Sequence, residues 1–139
     1  MNKKEIKLYT DGCARGNPGP AGAGFVITDM NGVIIETGYK FLGNNYTNNQ
    51  AEYGALLIGL SKCLKICRGV VHVYSDSELL VKQMSGIYSV KNHELKLLME
   101  NVRSLSSGFE KVTFTHIKRE KNSQADELAN KAVDLKFKR

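Results

Sequence analysis

The stretch YTDGCARGNPGPAGAG, Tyr9 to Gly24, sets an acidic residue behind an apolar run and follows it with five glycines and both prolines of the chain. Two readings of it compete. A glycine-rich loop after a strand can cradle phosphates with its backbone N–H groups. Alternatively, the carboxylate is the working group and the loop only turns the chain. The elements on either side decide between them.

Glu5 to Thr10 reads as a first strand, Ala21 to Asp29 as a second and Val33 to Phe41 as a third. The turn signal MNG at Met30 to Gly32 makes an antiparallel hairpin of strands two and three. A helix runs from Asn48 to Cys67, with Glu52, Leu56, Leu60, Cys63 and Cys67 at helical spacing. VVHVYSD, Val70 to Asp76, is a fourth strand, and Ser77 to Met84 a short helix. Leu95, Leu98, Val102 and Leu105 mark the apolar stripe of another helix. KVTFTHI, Lys111 to Ile117, alternates as a fifth strand, and Ser123 to Leu135 is a last helix. With no repeat, linker or low-complexity tract, residues 1–139 read as a single α/β domain, 42% hydrophobic and 24% charged.

If the first three strands form an antiparallel meander, the third runs parallel to the first. Helical crossovers then make strands four and five parallel to strand one, giving a five-stranded mixed sheet flanked by helices. The C-terminal ends of strands one, three, four and five share one edge, where α/β sheets place their ligands. Four acidic residues fall on that rim: Asp11 at the end of strand one, Asp76 at the end of strand four, Glu52 near a helix start and Asp126 in the first turn of the last helix.

Each has a structural explanation when taken singly. TNNQ (Thr47 to Gln50) and SDSE (Ser75 to Glu78) fit the capping-box pattern, SQAD (Ser123 to Asp126) resembles it, and first-turn carboxylates offset the helix dipole. Capping does not account for Asp11, nor for four acids converging on one edge, where their repulsion must be offset. Divalent cations offset it, and a set of hard oxygen ligands favours Mg²⁺ or Mn²⁺ over Zn²⁺. The opening stretch is then read in favour of its carboxylate. It lacks the spacing of nucleotide-binding loops, and Pro18 and Pro20 remove donors that a phosphate cradle would use. The glycines are expected to let a long substrate pass close to the backbone beside Asp11.

Composition adds bounds. No apolar run approaches a membrane span and MNKKEIK is too charged for a secretory leader, so a cytoplasmic protein with no membrane partner is expected. Cys13, Cys63 and Cys67 read as free thiols, the latter two as core residues one helical turn apart. A net charge of +6 and a pI near 9.2 favour a polyanionic partner.

YTDGCARGNPGPAGAG, TNNQAEYGALL, YSDSELLVKQM and REKNSQADELAN, in that order and over nearly the whole chain, resemble type 1 ribonuclease H. The resemblance implies the ribonuclease H-like fold and endonucleolytic hydrolysis of the RNA strand of RNA/DNA hybrids. It makes Asp11, Glu52, Asp76 and Asp126 the catalytic, metal-binding carboxylates. Asn17, Asn48 and Asn49 correspond to residues that contact the hybrid near the minor groove, Thr47 to one that holds a DNA phosphate, and Gly12 and Ser77 join the substrate-binding set. Two metals roughly 4 Å apart can clamp one phosphodiester, leaving a 3′-hydroxyl and a 5′-phosphate. RNA selectivity comes from the 2′-hydroxyl. The expected enzyme is a monomer with two ions per site. The alternatives are a related nuclease acting on double-stranded RNA or branched DNA, and a non-catalytic nucleic-acid-binding module.

Two features separate the chain from the better-known bacterial pattern. Many relatives carry a histidine in the loop before the last helix, which HIKREKNSQAD lacks. His116 falls within the strand alternation with a packing role, and His72 and His93 have less claim to catalysis. QMSGIYSVKNHEL joins two helices directly where some relatives insert a basic handle, so the resemblance is to the handle-less, His-less branch. Hybrid affinity then rests on dispersed cations, with Lys91, Lys118, Arg119, Lys121, Lys136, Lys138 and Arg139 as candidates. Arg119, in the loop before the Asp126 helix, is expected to fill part of the missing histidine's role. Its guanidinium cannot act as a base but can stabilise phosphate charge. The alternatives are a solvated cation that aids hybrid affinity, and a partner for Glu120 or Asp126.

Overall fold

The structure, a computed structural model, describes residues 5–138; Arg139, named above among the basic tail residues, lies outside them. Five strands and four α-helices follow in the order β1 (Glu5–Ala14), β2 (Gly19–Thr28), β3 (Ile34–Tyr46), α1 (Asn48–Cys63), β4 (Val70–Ser75), α2 (Glu78–Met84), α3 (His93–Ser106), β5 (Lys111–His116) and α4 (Ser123–Lys136), with a 3₁₀ turn at Arg119–Lys121. The sheet order is β3-β2-β1-β4-β5. β1, β2 and β3 pair antiparallel, while β4 lies parallel to β1 and β5 parallel to β4. This is the mixed sheet expected from the order of elements, and it matches the fold that the ribonuclease H resemblance implies.

Local chemistry accounts for the turns. Asp29 Oδ1 accepts from the N–H groups of Asn31 and Val33, and Gly32 supplies the positive φ of 87° that closes the β2–β3 hairpin. Thr47 caps α1 in a full capping box, its hydroxyl accepting from Gln50 N while Gln50 Oε1 accepts from Thr47 N. The other two expected boxes are corrected. Ser77, not Ser75, caps α2, and Asn122 precedes α4, so Ser123 is already helical.

Strand alternation sends Ile6 and Leu8 of β1, Phe25 and Ile27 of β2 and Val71 and Val73 of β4 to one face. There they bury against Tyr53, Leu56 and Leu60 of α1 and Val102 of α3. Cys63 and Cys67 are free and buried in this core, as expected; Cys13 is free and partly exposed. α4 covers the opposite face over β1 and β2. His116 is the exposed last residue of β5, an edge strand of the sheet, rather than a packed strand residue.

The opening stretch differs most from expectation. β1 continues to Ala14, and Asp11 lies inside it, paired with Gly24, rather than at its end. Only Arg15 to Pro18 turn the chain, closed by Arg15 N donating to Pro20 O at 2.8 Å. Nor do Gly12, Gly22 and Gly24 clear a path for substrate. A Cβ on Gly12 would lie 2.1 Å from Ala51 O of α1, and one on Gly22 or Gly24 would lie 2.2 or 2.3 Å from Ala129 O or Ala125 O of α4. Two helix backbones fill that space, one on each face.

Candidate active site

Those close approaches build the site. Gly12 admits the first turns of α1 against β1, and its N–H donates to Glu52 Oε1 at 2.8 Å. Gly24 admits the first turn of α4, which carries Asp126, against the face on which Asp11 lies. Asp76 follows β4 directly, where Ser75 Oγ accepts from Ser77 N and Ser77 Oγ accepts from Leu80 N to start α2. Asp11, Glu52 and Asp76 each bring a ligand oxygen within 4.8 Å of the others. Asp126 stands beside this trio in the same cleft, and Asn130 Nδ2 donates to its Oδ1 at 3.3 Å.

The four acids line a cleft of about 450 Å³ with Gly12, Cys13, Ala14, Asn48 and Arg119. Burial, foremost, and then the charge of Glu52 and the neighbouring Asp126 and Asp76 carboxyls push the Asp11 carboxyl up to about 10. Burial likewise raises Glu52, to about 8; the Gly12 N–H and Arg119 act against the rise, while Asp76 and Asp126 add to it. Both shifts favour protonated carboxyls, whose protons a divalent cation held by these oxygens would displace. An all-oxygen donor set at this spacing fits a hard cation.

Arg119 reaches the cleft. Its Nε lies 4.0 Å from Asp76 Oδ2, so among the described residues its acidic partner is Asp76 rather than Glu120 or Asp126. Its side chain is 82% exposed, so the pair is weak and the guanidinium free to turn toward a ligand.

Asn17, Thr47, Asn48 and Asn49 gather in an adjoining pocket of about 440 Å³, completed by Gln50, Asn92, Glu94 and Leu95. Asn48 N donates to Asn17 Oδ1 at 3.0 Å and Ala14 N to Asn48 Oδ1 at 3.2 Å, so Asn48 borders both cavities. Ser77 lines neither and serves as the α2 cap. Sequence reasoning missed Asn92 and Glu94, which come to α1 only through the packing of α3; Gln50 Nε2 donates to Glu94 Oε2. It also missed Asn130, although its spacing of four from Asp126 on one helix was a usable signal.

Fold and site together define the ribonuclease H-like class. The reverse transcriptase-like family pattern matches residues 9–132. Ribonuclease HI of Halobacterium salinarum is 37% identical over 129 residues, 93% of this chain and 64% of that protein. A bifunctional protein of Mycobacterium tuberculosis is 39% identical over 132 residues, 94% of this chain and 36% of its own length. The chain thus spans less than two thirds of either. The crystal structure of LC11-RNase H1, isolated from compost by a metagenomic approach, in complex with an RNA/DNA hybrid superposes with a TM-score of 0.90 at 42% identity, covering 95% of this chain and 99% of that one. The chain belongs to the type 1 ribonuclease H family.

Proposed function

We propose that the protein hydrolyses the RNA strand of RNA/DNA hybrids, using two Mg²⁺ or Mn²⁺ ions held by Asp11, Glu52, Asp76 and Asp126 and leaving 3′-hydroxyl and 5′-phosphate ends. The observation that carries this reading is the convergence of three carboxylate oxygens within 4.8 Å in a family whose member LC11-RNase H1 was crystallised with a hybrid. When bound, the ions supply Lewis acidity and an ionised water at neutral pH.

The chain's own residues do the rest. Glu52 is held in place by the Gly12 N–H, so its carboxylate keeps one orientation while the cleft fills. Asn17, Asn48 and Asn49 present neutral amides beside the carboxylates, suited to 2′-hydroxyls and base edges on the minor-groove side. Thr47 offers its hydroxyl to a DNA phosphate, in competition with its cap bond to Gln50. Arg119 turns from Asp76 to the scissile phosphate, where a guanidinium stabilises developing charge or helps the cleaved phosphate leave.

The test is cleavage of a labelled hybrid with Mg²⁺ or Mn²⁺, beside double-stranded RNA and branched DNA of the same sequence. Metal-dependent cutting confined to the RNA of the hybrid is expected. Preferential cutting of either other substrate, or metal-independent binding without cleavage, would replace this reading with one of its alternatives.

A further inference from the structure

We infer that Asn122 is a positioning residue that sets the separation of Asp11 from Asp126 and Arg119, and through it the affinity of the carboxylate cleft for its cations. The inference rests on the proposed function of that cleft. Asparagine is among the most favoured residues at a helix N-cap, where its side chain accepts from the first turn. Asn122 occupies the N-cap of α4 and makes no such bond. Its side chain turns inward instead, 2% exposed, and Nδ2 donates to Thr10 O at 2.9 Å across 112 positions of sequence.

Three site elements meet on this residue. Thr10 is the β1 neighbour of Asp11. Asn122 N donates to Arg119 O at 2.9 Å, closing the 3₁₀ turn, and Asn122 O accepts from Asp126 N at 3.1 Å, opening α4. One side-chain bond therefore ties the segment carrying Arg119 and Asp126 to the strand carrying Asp11.

The arrangement has a cost. Asn122 Oδ1 and Thr10 Oγ1 are buried without a hydrogen-bond partner among the described residues, and the helix forgoes its side-chain cap. The inward rotamer therefore secures position while leaving two buried polar atoms unpaired, at the expense of stability. α4 has other anchors. Its backbone sits on Gly22 and Gly24, and Arg15 pairs with Asp134 at 2.7 Å. Loss of the Asn122 bond should therefore leave the helix docked and free only its first turn and the 3₁₀ turn.

The experiment measures Mn²⁺ binding to the nucleic-acid-free full chain by calorimetry, together with hybrid cleavage, for wild type, Asn122→Ala and Asn122→Asp. Asn122→Ala should weaken Mn²⁺ binding by roughly 10-fold, the scale of one lost positioning hydrogen bond. At saturating metal its KM for hybrid should stay within about 2-fold of wild type, since no substrate contact is lost. Asn122→Asp keeps the shape but places a carboxylate against Thr10 O. Added negative charge alone would tighten cation binding, so weaker binding in this variant identifies lost geometry. It also carries the test if Asn122→Ala does not fold. Wild-type Mn²⁺ affinity in a folded variant with a lowered Tm would overturn the inference and leave Asn122 a structural residue. A wild-type protein that neither binds Mn²⁺ nor cuts hybrid would instead sink the proposed function, so the two failures are distinguishable.

Discussion

The carboxylate cleft and the asparagine pocket are nearly equal in volume, at about 450 and 440 Å³, and share Asn48, yet they handle polarity in opposite ways. In the first, acids from β1, α1, α4 and the end of β4 converge beside the exposed Arg119, and burial raises the Asp11 and Glu52 carboxyls above the usual range. In the second, mostly neutral groups are satisfied within the protein: Asn17 accepts from Asn48 N, Thr47 from Gln50 N and Asn92 from Leu95 N, and its one carboxylate, Glu94, accepts from Gln50. Under the proposed function a cation balances the cleft, whereas the pocket's polar groups are largely paired within the protein. On the proposed function, charge is concentrated where metal would balance it, and the asparagine amides stand where a polyanion would approach without competing for that metal.

That contrast breaks most sharply at Asp11. Asp11→Asn should reduce cleavage by about 1,000-fold or more, equivalent to several kcal/mol of metal-derived stabilisation of the transition state. Hybrid binding and fold should be kept. A purified variant with wild-type turnover would remove Asp11 from the metal set.

Arg119→Ala should lower kcat by roughly 10- to 1,000-fold if the guanidinium acts on the scissile phosphate. A binding role alone would raise KM and soften the salt dependence instead. Arg119→Lys sharpens the test, because a point charge keeps the electrostatics but loses the planar fork. Wild-type kcat in Arg119→Ala at saturating hybrid would leave the carboxylates and metal to work alone.

On the pocket side, replacing Asn48 and Asn49 together by Ala should raise KM by roughly 10-fold, with a smaller fall in kcat. Unchanged kinetics with a lower Tm would make them helix-start residues and nothing more.

The smallest effect concerns the bare protein. The Asp11 and Glu52 carboxyls titrate higher in the folded chain than their ordinary values of 3.8 and 4.5. Between those values and about 8 to 10 the folded state thus binds more protons than the unfolded one, and stability falls as pH rises. Metal-free protein should lose about 3 °C or more in Tm between pH 5 and 9. Mg²⁺ should restore more at pH 9 than at pH 5, and Asp11→Asn should flatten the profile. A metal-free Tm that rises with pH over this range would contradict the protonated cluster.

The sequence by itself determined which elements form and how they connect. Apolar periodicity separates strands from helices, turn chemistry at Met30 to Gly32 fixes a hairpin, and helical crossovers dictate parallel strands. These local and topological constraints put Asp11, Glu52, Asp76 and Asp126 on one rim before any coordinates. Tertiary structure decided what the glycines were for. A run of Gly and Pro reads locally as a loop, and only the packing of α1 on Gly12 and of α4 on Gly22 and Gly24 shows that it is paired strand with helix backbone pressed against it. It also decided the partner of Arg119, which depends on where a 3₁₀ turn sets a long side chain, and the inward turn of Asn122, whose residue type favours a cap. Spacing along a chain encodes the periodicity of single elements. The distance between backbones of different elements depends on side chains that are absent, and a glycine carries no pattern to say which neighbour will fill its place.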